Sequence, residues 1–449
     1  MDKAIKKTDE MRTQSIPKLI TKYSLATFCA LFFNELYNII DTLFVSKGVG
    51  DNAMGGVSII FPFMIIQGAV AQTVGSGSAS IISRLLGKKE YEKAGNVTIH
   101  AMFTFYLTSV VITIAGFIFM NPLLRLFGAT QEIMPYAKEY FTIILIGNVF
   151  STGFSSIIRA EGKMLYSLLI WLIPTAINVA LDAVFIYALD MGVKGAALAT
   201  VICYFSSFVM SVIFFRFISV QKFRKVKIDF KAIIEIIATG IPMLVQLGSM
   251  SVLFMIINNV LSSTGGTQSV NTFAYVSKVI TFATVPVNAI ATAVSPIISY
   301  NYGAKIQERI KKALNYSVVI CEIYAVIAII ISLTIPDLFI KIFTTDTTII
   351  SEGAYALKIL AFALIGAPVT IIIGTYFQAI GKKTKSLLTN SLILIFSMIC
   401  IPVFSHFYGT YGIWFSVSVS CLLTGIVSLI TYKKQTAKLS AFFIYYVDS

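Results

Sequence analysis

Charge is scarce in this chain. Asp, Glu, Lys and Arg make up 12% of its 449 residues, against about a quarter in soluble domains. Hydrophobic residues make up 57%, and the mean hydropathy is +0.84. A soluble globular protein is excluded. Histidine is nearly absent, with His100 and His406 isolated from each other. No HExxH, no metal-spaced pair of aspartates and no Gly-rich phosphate loop occurs, which removes the usual metal-dependent and nucleotide-dependent enzymes. The five cysteines (Cys29, Cys203, Cys321, Cys400 and Cys421) are scattered through apolar runs without CxxC spacing. They read as small hydrophobes, with no disulfide framework or zinc site implied. Residues 1–18 are polar and lack an apolar core, so no cleavable signal peptide is expected. The in-out alternation of a membrane β-barrel is missing as well.

What the chain has instead is a succession of apolar runs long enough to cross a bilayer as helices. Twelve spans are predicted, near 19–44, 53–82, 95–120, 136–158, 164–190, 195–217, 232–261, 269–299, 311–335, 352–379, 385–407 and 411–432. The net charge is +14, and its placement is a topology signal rather than a nucleic-acid footprint. Alternate segments (1–22, 84–93, 159–163, 216–231, 305–312, 382–385 and 433–438) hold 28 of the 35 Lys and Arg residues. The opposite segments hold only Lys47, Arg125, Lys194 and Lys341. By the positive-inside rule the rich set is cytoplasmic. Both termini are then cytoplasmic, which requires an even number of crossings.

The sequence also repeats itself. Ile81, Ile82, Ser83, Gly87 and Lys89 recur 216 residues later as Ile297, Ile298, Ser299, Gly303 and Lys305. Ala160, Gly162, Lys163 and Ser167 recur 219 later as Ala379, Gly381, Lys382 and Ser386, and Gly192 and Gly195 recur 217 later as Gly409 and Gly412. The expected fold is an all-α integral membrane protein of twelve transmembrane helices in two pseudo-symmetric six-helix lobes. Residues 1–217 form the first lobe, 218–231 a basic cytoplasmic linker, and 232–449 the second lobe. Transporters built from such halves bind their cargo near the interface and rock one half against the other.

Acidic groups inside a bilayer are costly and point to function. Asn34, Asn38 and Asp41 share one stripe of the first helix, and Thr175, Asn178 and Asp182 repeat that spacing on the fifth. At 1.5 Å per residue, Asp41 lies about 33 Å and Asp182 about 27 Å from their cytoplasmic helix starts, with Thr200 about 9 Å in from the outer side. These groups predict a water-accessible pocket for a cation or a proton in the outer part of the first lobe. Glu35 and Tyr37 flank the stripe. In the second half the repeat sets Asn258 opposite Asp41 and an apolar run, 393–401, opposite Asn178 and Asp182. Lys278 is an intramembrane cation that either pairs with Glu322 or lines the central cavity.

The stretch TyrAsnIleIleAspThrLeuPheVal (37–45) resembles the end of the first helix in the multidrug and toxic compound extrusion (MATE) family. The resemblance runs on through AsnProLeuLeuArgLeuPheGlyAla (121–129), AsnValAlaLeuAsp (178–182), GlyValLysGlyAlaAlaLeuAlaThr (192–200) and AsnTyrGlyAlaLys (301–305). It covers about residues 15–435, nearest a prokaryotic branch similar to the DinF and MepA proteins. It implies a multi-pass cell-membrane antiporter, not an enzyme, that exports amphipathic and often cationic drugs in exchange for H⁺ or Na⁺. No cofactor is implied, and a monomer is expected. By position, Asp41 matches the family's ion-responsive acid, with Asn178, Asp182 and Thr200 as the polar groups around it and a candidate Na⁺ set. Asn34, Glu35, Tyr37, Asn38, Asn258 and Lys278 are candidates for the substrate cavity. The family's proline in the first helix is replaced by Ala26, which removes the usual means of bending it, whereas Pro242 keeps the equivalent position in the second half. A lipid-linked oligosaccharide flippase of the same superfamily is the alternative, but it calls for a cavity rich in Arg and Lys, and Lys278 stands nearly alone.

Overall fold

In hydrocarbon every backbone N–H and C=O must be satisfied within its own segment, so the apolar runs close into helices. The computed structural model describes residues 10–447 except 50, 128, 130, 152, 222–226 and 343. Side chains are described for these apart from 34–43, 46–47, 51–52, 54–55, 61–62, 267, 270–271 and 436–447. All regular structure among the described residues is helical.

The spans are α1 (Ile16–Gly48), α2 (Asp51–Gly87), α3 (Tyr91–Ile118), α4 (Met134–Ala160), α5 (Met164–Ala188) and α6 (Gly192–Phe217). The second series begins with α7 (Phe230–Gly266), α8 (Thr272–Gly303) and α9 (Gln307–Thr334). Next comes α10, a pair of helices (Thr347–Leu360 and Ala363–Ala379) bent by 52°. The stretch Lys383–Gln435 is helical for 53 residues but holds Gly409 at φ 58°, ψ −135°. Unbroken it would be about 80 Å long, more than twice the hydrocarbon thickness. The break at Gly409 therefore divides it into α11 (383–408) and α12 (410–435), and the described spans number twelve.

Two compact units emerge from the packing: residues 1–244 with 299–306, and residues 245–298 with 307–449. Their internal construction follows the sequence repeat. The core of the first unit includes Val45, Ile60, Leu124, Ala137, Phe141, Ala196 and Ala197. The residues 216–219 further on, Leu261, Val276, Ile340, Ala356, Leu360, Ile413 and Trp414, belong to the core of the second. Aromatic edges knit both cores, Phe63 on Phe141 at 4.7 Å in one and Phe254 on Phe273 at 5.4 Å in the other.

Turn chemistry explains why the repeat is legible. Lys89 and Lys305 both hold the left-handed conformation (φ 62° and 59°), as do Gly162 and Gly381 (77° and 78°) and Gly192 and Gly409 (57° and 58°). Each pair ends or begins a span at the same place in its half. Left-handed backbone disfavours side chains with a Cβ, so these positions resist drift.

Within the first unit, helices touch through glycine. A Cβ on Gly87 would lie 1.9 Å from the carbonyl oxygen of Tyr300, and one on Gly303 would lie 1.9 Å from that of Arg84. The arrangement is reciprocal, because Arg84 and Tyr300 are themselves repeat partners. Gly77 and Gly240 make a second such approach, against Ile236 O and Thr73 O. Asn301 Nδ2 donates to Met11 O at 2.9 Å beside this junction. On α3 of the same unit, Val110, Val111, Ile114, Phe117 and Ile118 are exposed. On α9, Ile323, Val326, Ile327 and Ile330 form an exposed stripe at helical spacing. Such apolar faces suit acyl chains.

Candidate ion and substrate site

Helix α5 carries the polar residues of the first unit. It is α-helical through Met164–Asp182 with Pro174 inside, and Asn178 and Asp182 stand one turn apart on one face, both 0% exposed. Neither side-chain atom of Asn178 has a hydrogen-bond partner among the described residues. An amide sealed from solvent in that condition is held for a reason. Thr200 on α6 is buried, and its hydroxyl hydrogen is committed to Ala196 O at 3.0 Å. The Oγ1 lone pairs remain as acceptors. One turn further along α6, Cys203 lies within electrostatic reach of Asp182.

Beyond Asp182 the hydrogen-bond spacing of the helix widens from four residues to five. Residues Ala183–Ala188 form a π-helical turn, with Leu189 N–H donating to Val184 O at 3.0 Å across five residues. The end of α1 packs on this turn: Phe44 meets Tyr187 edge-on at 5.8 Å, and Gly48 faces Ile186. Phe44 is three residues past Asp41, so the backbone of the first-helix stripe runs alongside α5. Helix α1 is continuous from Ile16 to Gly48. With Ala26 in the chain, the structure shows no proline break there.

Of the predicted site residues, Asn178 and Asp182 share one face of α5, and Thr200 is buried on α6, which packs against it in the first unit. Asp41, Asn34, Glu35, Tyr37 and Asn38 lie on the described backbone of α1, but their side chains fall outside the described residues. Asn258 on α7 and Lys278 on α8 belong to the second unit and are exposed. The 216-residue register that pairs Ala26 with Pro242 and core Val45 with core Leu261 sets buried Ile257, not Asn258, at the position of Asp41, so Asn258 stands one residue off the expected match. In that unit Tyr324 donates to Ala283 O at 2.8 Å, tying α9 to α8 next to Glu322. The five cysteines are free. His100 is packed: Nδ1 bonds Asn96 O at 2.7 Å and Nε2 accepts from Asp229 N–H at 3.0 Å.

Sequence reasoning passed over a second polar cluster. Arg159 and Glu161 look like loop charges between the fourth and fifth spans, yet Glu161 is 0% exposed. Its carboxylate accepts from Ser219 Oγ at 2.5 Å, Gln221 Nε2 at 2.7 Å and Val220 N–H at 3.0 Å, which pins the start of the linker. Burial pushes this carboxyl above the usual range, while the Ser219, Val220 and Gln221 hydrogen bonds and Lys163 pull it partly back. Arg159 donates to Ser156 Oγ at 2.8 Å, Ser167 Oγ at 3.2 Å and Ser155 Oγ at 3.4 Å. The available signal was the repeat itself, which replaces Arg159 and Glu161 by Gln378 and Ile380 in the second half.

Comparison with known proteins fits this geometry. The MatE family profile matches residues 26–184 and 242–403. A multidrug export protein MepA of Staphylococcus haemolyticus (strain JCSC1435) is 22% identical over 441 residues, covering 96% of this chain and 94% of that protein. A MATE solved in the bent conformation superposes with a TM-score of 0.91 at 24% identity, over 97% of this chain and 99% of the other. An outward-facing multidrug resistance MATE transporter of the MOP superfamily gives 0.89 at 25%, over 96% and 98%. With a family profile spanning most of both halves, and a fold shared nearly end to end, this chain belongs to the MATE family of multi-pass membrane transporters.

Proposed function

We propose that this protein is a secondary multidrug antiporter of the cell membrane, with both termini cytoplasmic. It exports amphipathic, often cationic compounds in exchange for inward-moving H⁺ or Na⁺. The carrying observation is the fully buried pair Asn178 and Asp182 in one half, set against Ser397 and Ile401 at the same repeat positions in the other. The relatives' multidrug export supports the substrate class.

The chemistry follows from the donor set. A carboxylate, an amide oxygen and a hydroxyl oxygen are hard ligands suited to Na⁺. A protonated carboxyl fits the same set, since its O–H can donate to a neighbouring amide or hydroxyl oxygen. Either ion neutralises Asp182, and by family resemblance Asp41. A cationic drug and the coupling ion then compete for the same negative charge, in surroundings where charges interact far more strongly than in water. In alternating access the ion enters from outside, displaces the drug outward, and is carried in as the protein rearranges. Broad apolar and aromatic surfaces accept many amphiphiles without a fixed hydrogen-bond pattern.

The test is drug transport in proteoliposomes with H⁺ and Na⁺ gradients imposed separately. One gradient should accelerate export, and Asp41→Asn and Asp182→Asn should each remove that acceleration at normal protein levels. Asn258→Ala should shift drug affinity modestly and leave the ion dependence in place. The reading fails if both aspartate variants remain ion-driven, or if Asn258→Ala alone abolishes coupling.

A further inference from the structure

The internal repeat is not uniform, and its irregularity falls beside Asp182. Leu169 and Leu388 are 219 residues apart, whereas Gly192 and Gly409 are 217 apart. Between those markers the first half carries two residues more than the second. The same interval contains the π-helical turn Ala183–Ala188 and the left-handed Asp190 at φ 49°. Neither has a counterpart in α11, which is α-helical up to Gly409. An additional residue inside an α-helix is absorbed as a π turn, a poorer hydrogen-bonding arrangement that recurs at functional sites. Here it follows the acid directly.

The surroundings hold the turn in place. A Cβ on Gly48 would come within 2.4 Å of Ile186 Cγ2 and 3.0 Å of Tyr187 Cε1, so the absence of a side chain at Gly48 admits the widened turn. Ile186 is 2% exposed and belongs to the core cluster that also contains Val45. Tyr187 takes the edge contact with Phe44. In a continuous α-helix one residue fewer would rotate everything beyond the deletion by about 100° relative to Asp182. Ile186 and Tyr187 would then leave α1 while Asp182 kept its place. The π register is thus what allows the acid and the α1 contacts to be satisfied together.

We propose that the π-helical turn Ala183–Ala188 is the positioning element that couples the charge state of Asp182 to the far end of α1. This rests on the ion-coupled reading above. A single π turn beside an ionisable group has a discrete alternative, the α register, and a two-state element of this kind is what coupling between sites requires. Neutralising Asp182 changes which register its neighbourhood favours, and the packed contacts at Ile186 and Tyr187 carry the change to Phe44 and Gly48.

The experiment deletes Val184, whose side chain is 45% exposed and unneeded by the core, so that the turn closes to α. Gly48→Ala is the second variant, which leaves the chain length intact and crowds Ile186. Both are checked by gel filtration and thermal unfolding, then reconstituted. Drug counterflow without an ion gradient should stay within about twofold of wild type, while the ion concentration for half-maximal export shifts by at least about tenfold, within the range of ordinary site-to-site coupling. If the deletion variant does not fold, the Gly48→Ala profile decides. A folded variant with the wild-type ion profile makes the turn a passive kink and overturns the proposal. Asp182→Asn separates the two readings. Should it keep ion dependence, the ion-site assignment fails and takes this inference with it. Should it lose the dependence while the turn variants keep theirs, only this inference fails.

Discussion

Glu161 shows how far one residue's surroundings can depart from its apparent class. It sits between the fourth and fifth spans, in a segment rich in charge, yet no part of it is exposed and it holds the linker at Ser219, Val220 and Gln221. Burial raises its carboxyl above the ordinary value near 4.3. A raised folded value means that the carboxyl's contribution to stability is full below the ordinary range and is lost as pH rises through the folded value. Gln at this position cannot ionise. The difference in melting temperature between Glu161→Gln and wild type, followed in detergent from pH 4 upward, should therefore move in favour of the variant as pH rises. At low pH the variant should be the weaker by about 1 kcal/mol, for an imperfectly replaced hydrogen-bond set. A constant difference across the range would mean that Glu161 titrates normally in the folded protein.

At the level of elements, the ends of α2 and α8 are locked by a symmetric pair of glycines. Each of Gly87 and Gly303 faces a carbonyl oxygen one turn before the other. A methyl group at either position must push the helices apart, and overpacking of that kind costs about 1–3 kcal/mol. Because both substitutions relieve themselves through the same separation, the double variant Gly87→Ala with Gly303→Ala should cost less than the two single changes added together. Thermal unfolding of the three variants measures this, and strict additivity would show the two glycines acting independently. The same scale explains α1. Pro17 lies in its first turn, where a missing N–H is harmless, and Ala26 leaves the interior hydrogen-bonded. Helix α5 does hold an interior proline, Pro174, two turns before Asp182.

For the whole molecule, the charge bias predicts sidedness. Reporter fusions after Lys89, Lys311 and Lys434 should give cytoplasmic signals, and one after Thr264 should report the outer face. A cytoplasmic signal at Thr264 would break the twelve-span topology. The asymmetry between halves belongs to this scale too. Both cores use equivalent positions, from Val45 and Leu261 to Ala197 and Trp414, while Asn178 and Asp182 of α5 give way to Ser397 and Ile401 in α11. The buried acid is confined to one half, while the scaffold is common to both.

Spans, break points and the repeat were legible in the sequence because hydrocarbon and left-handed turns leave few alternatives. Apolar runs must become helices in a bilayer, and a left-handed residue at the end of a span favours Gly, or a Lys held by its turn, in both halves. Asn178, Asp182 and Thr200 drew notice for a related reason, since polar groups stand out against an apolar span, and the structure buries all three. Three features were decided only by the tertiary structure. The π turn after Asp182 depends on Gly48 leaving room for Ile186, a contact between residues far apart in the chain. The burial of Glu161 depends on the linker folding back over it, although its sequence neighbours look solvated. The reciprocal approach of Gly87 and Gly303 depends on two helix ends far apart in the sequence meeting backbone to backbone within the first unit. Local composition fixes which segments enter the membrane, because transfer from water is a property of each segment alone. Where two segments touch, and which polar group that contact buries, depends on the shape of both, and that shape exists only once the chain has packed.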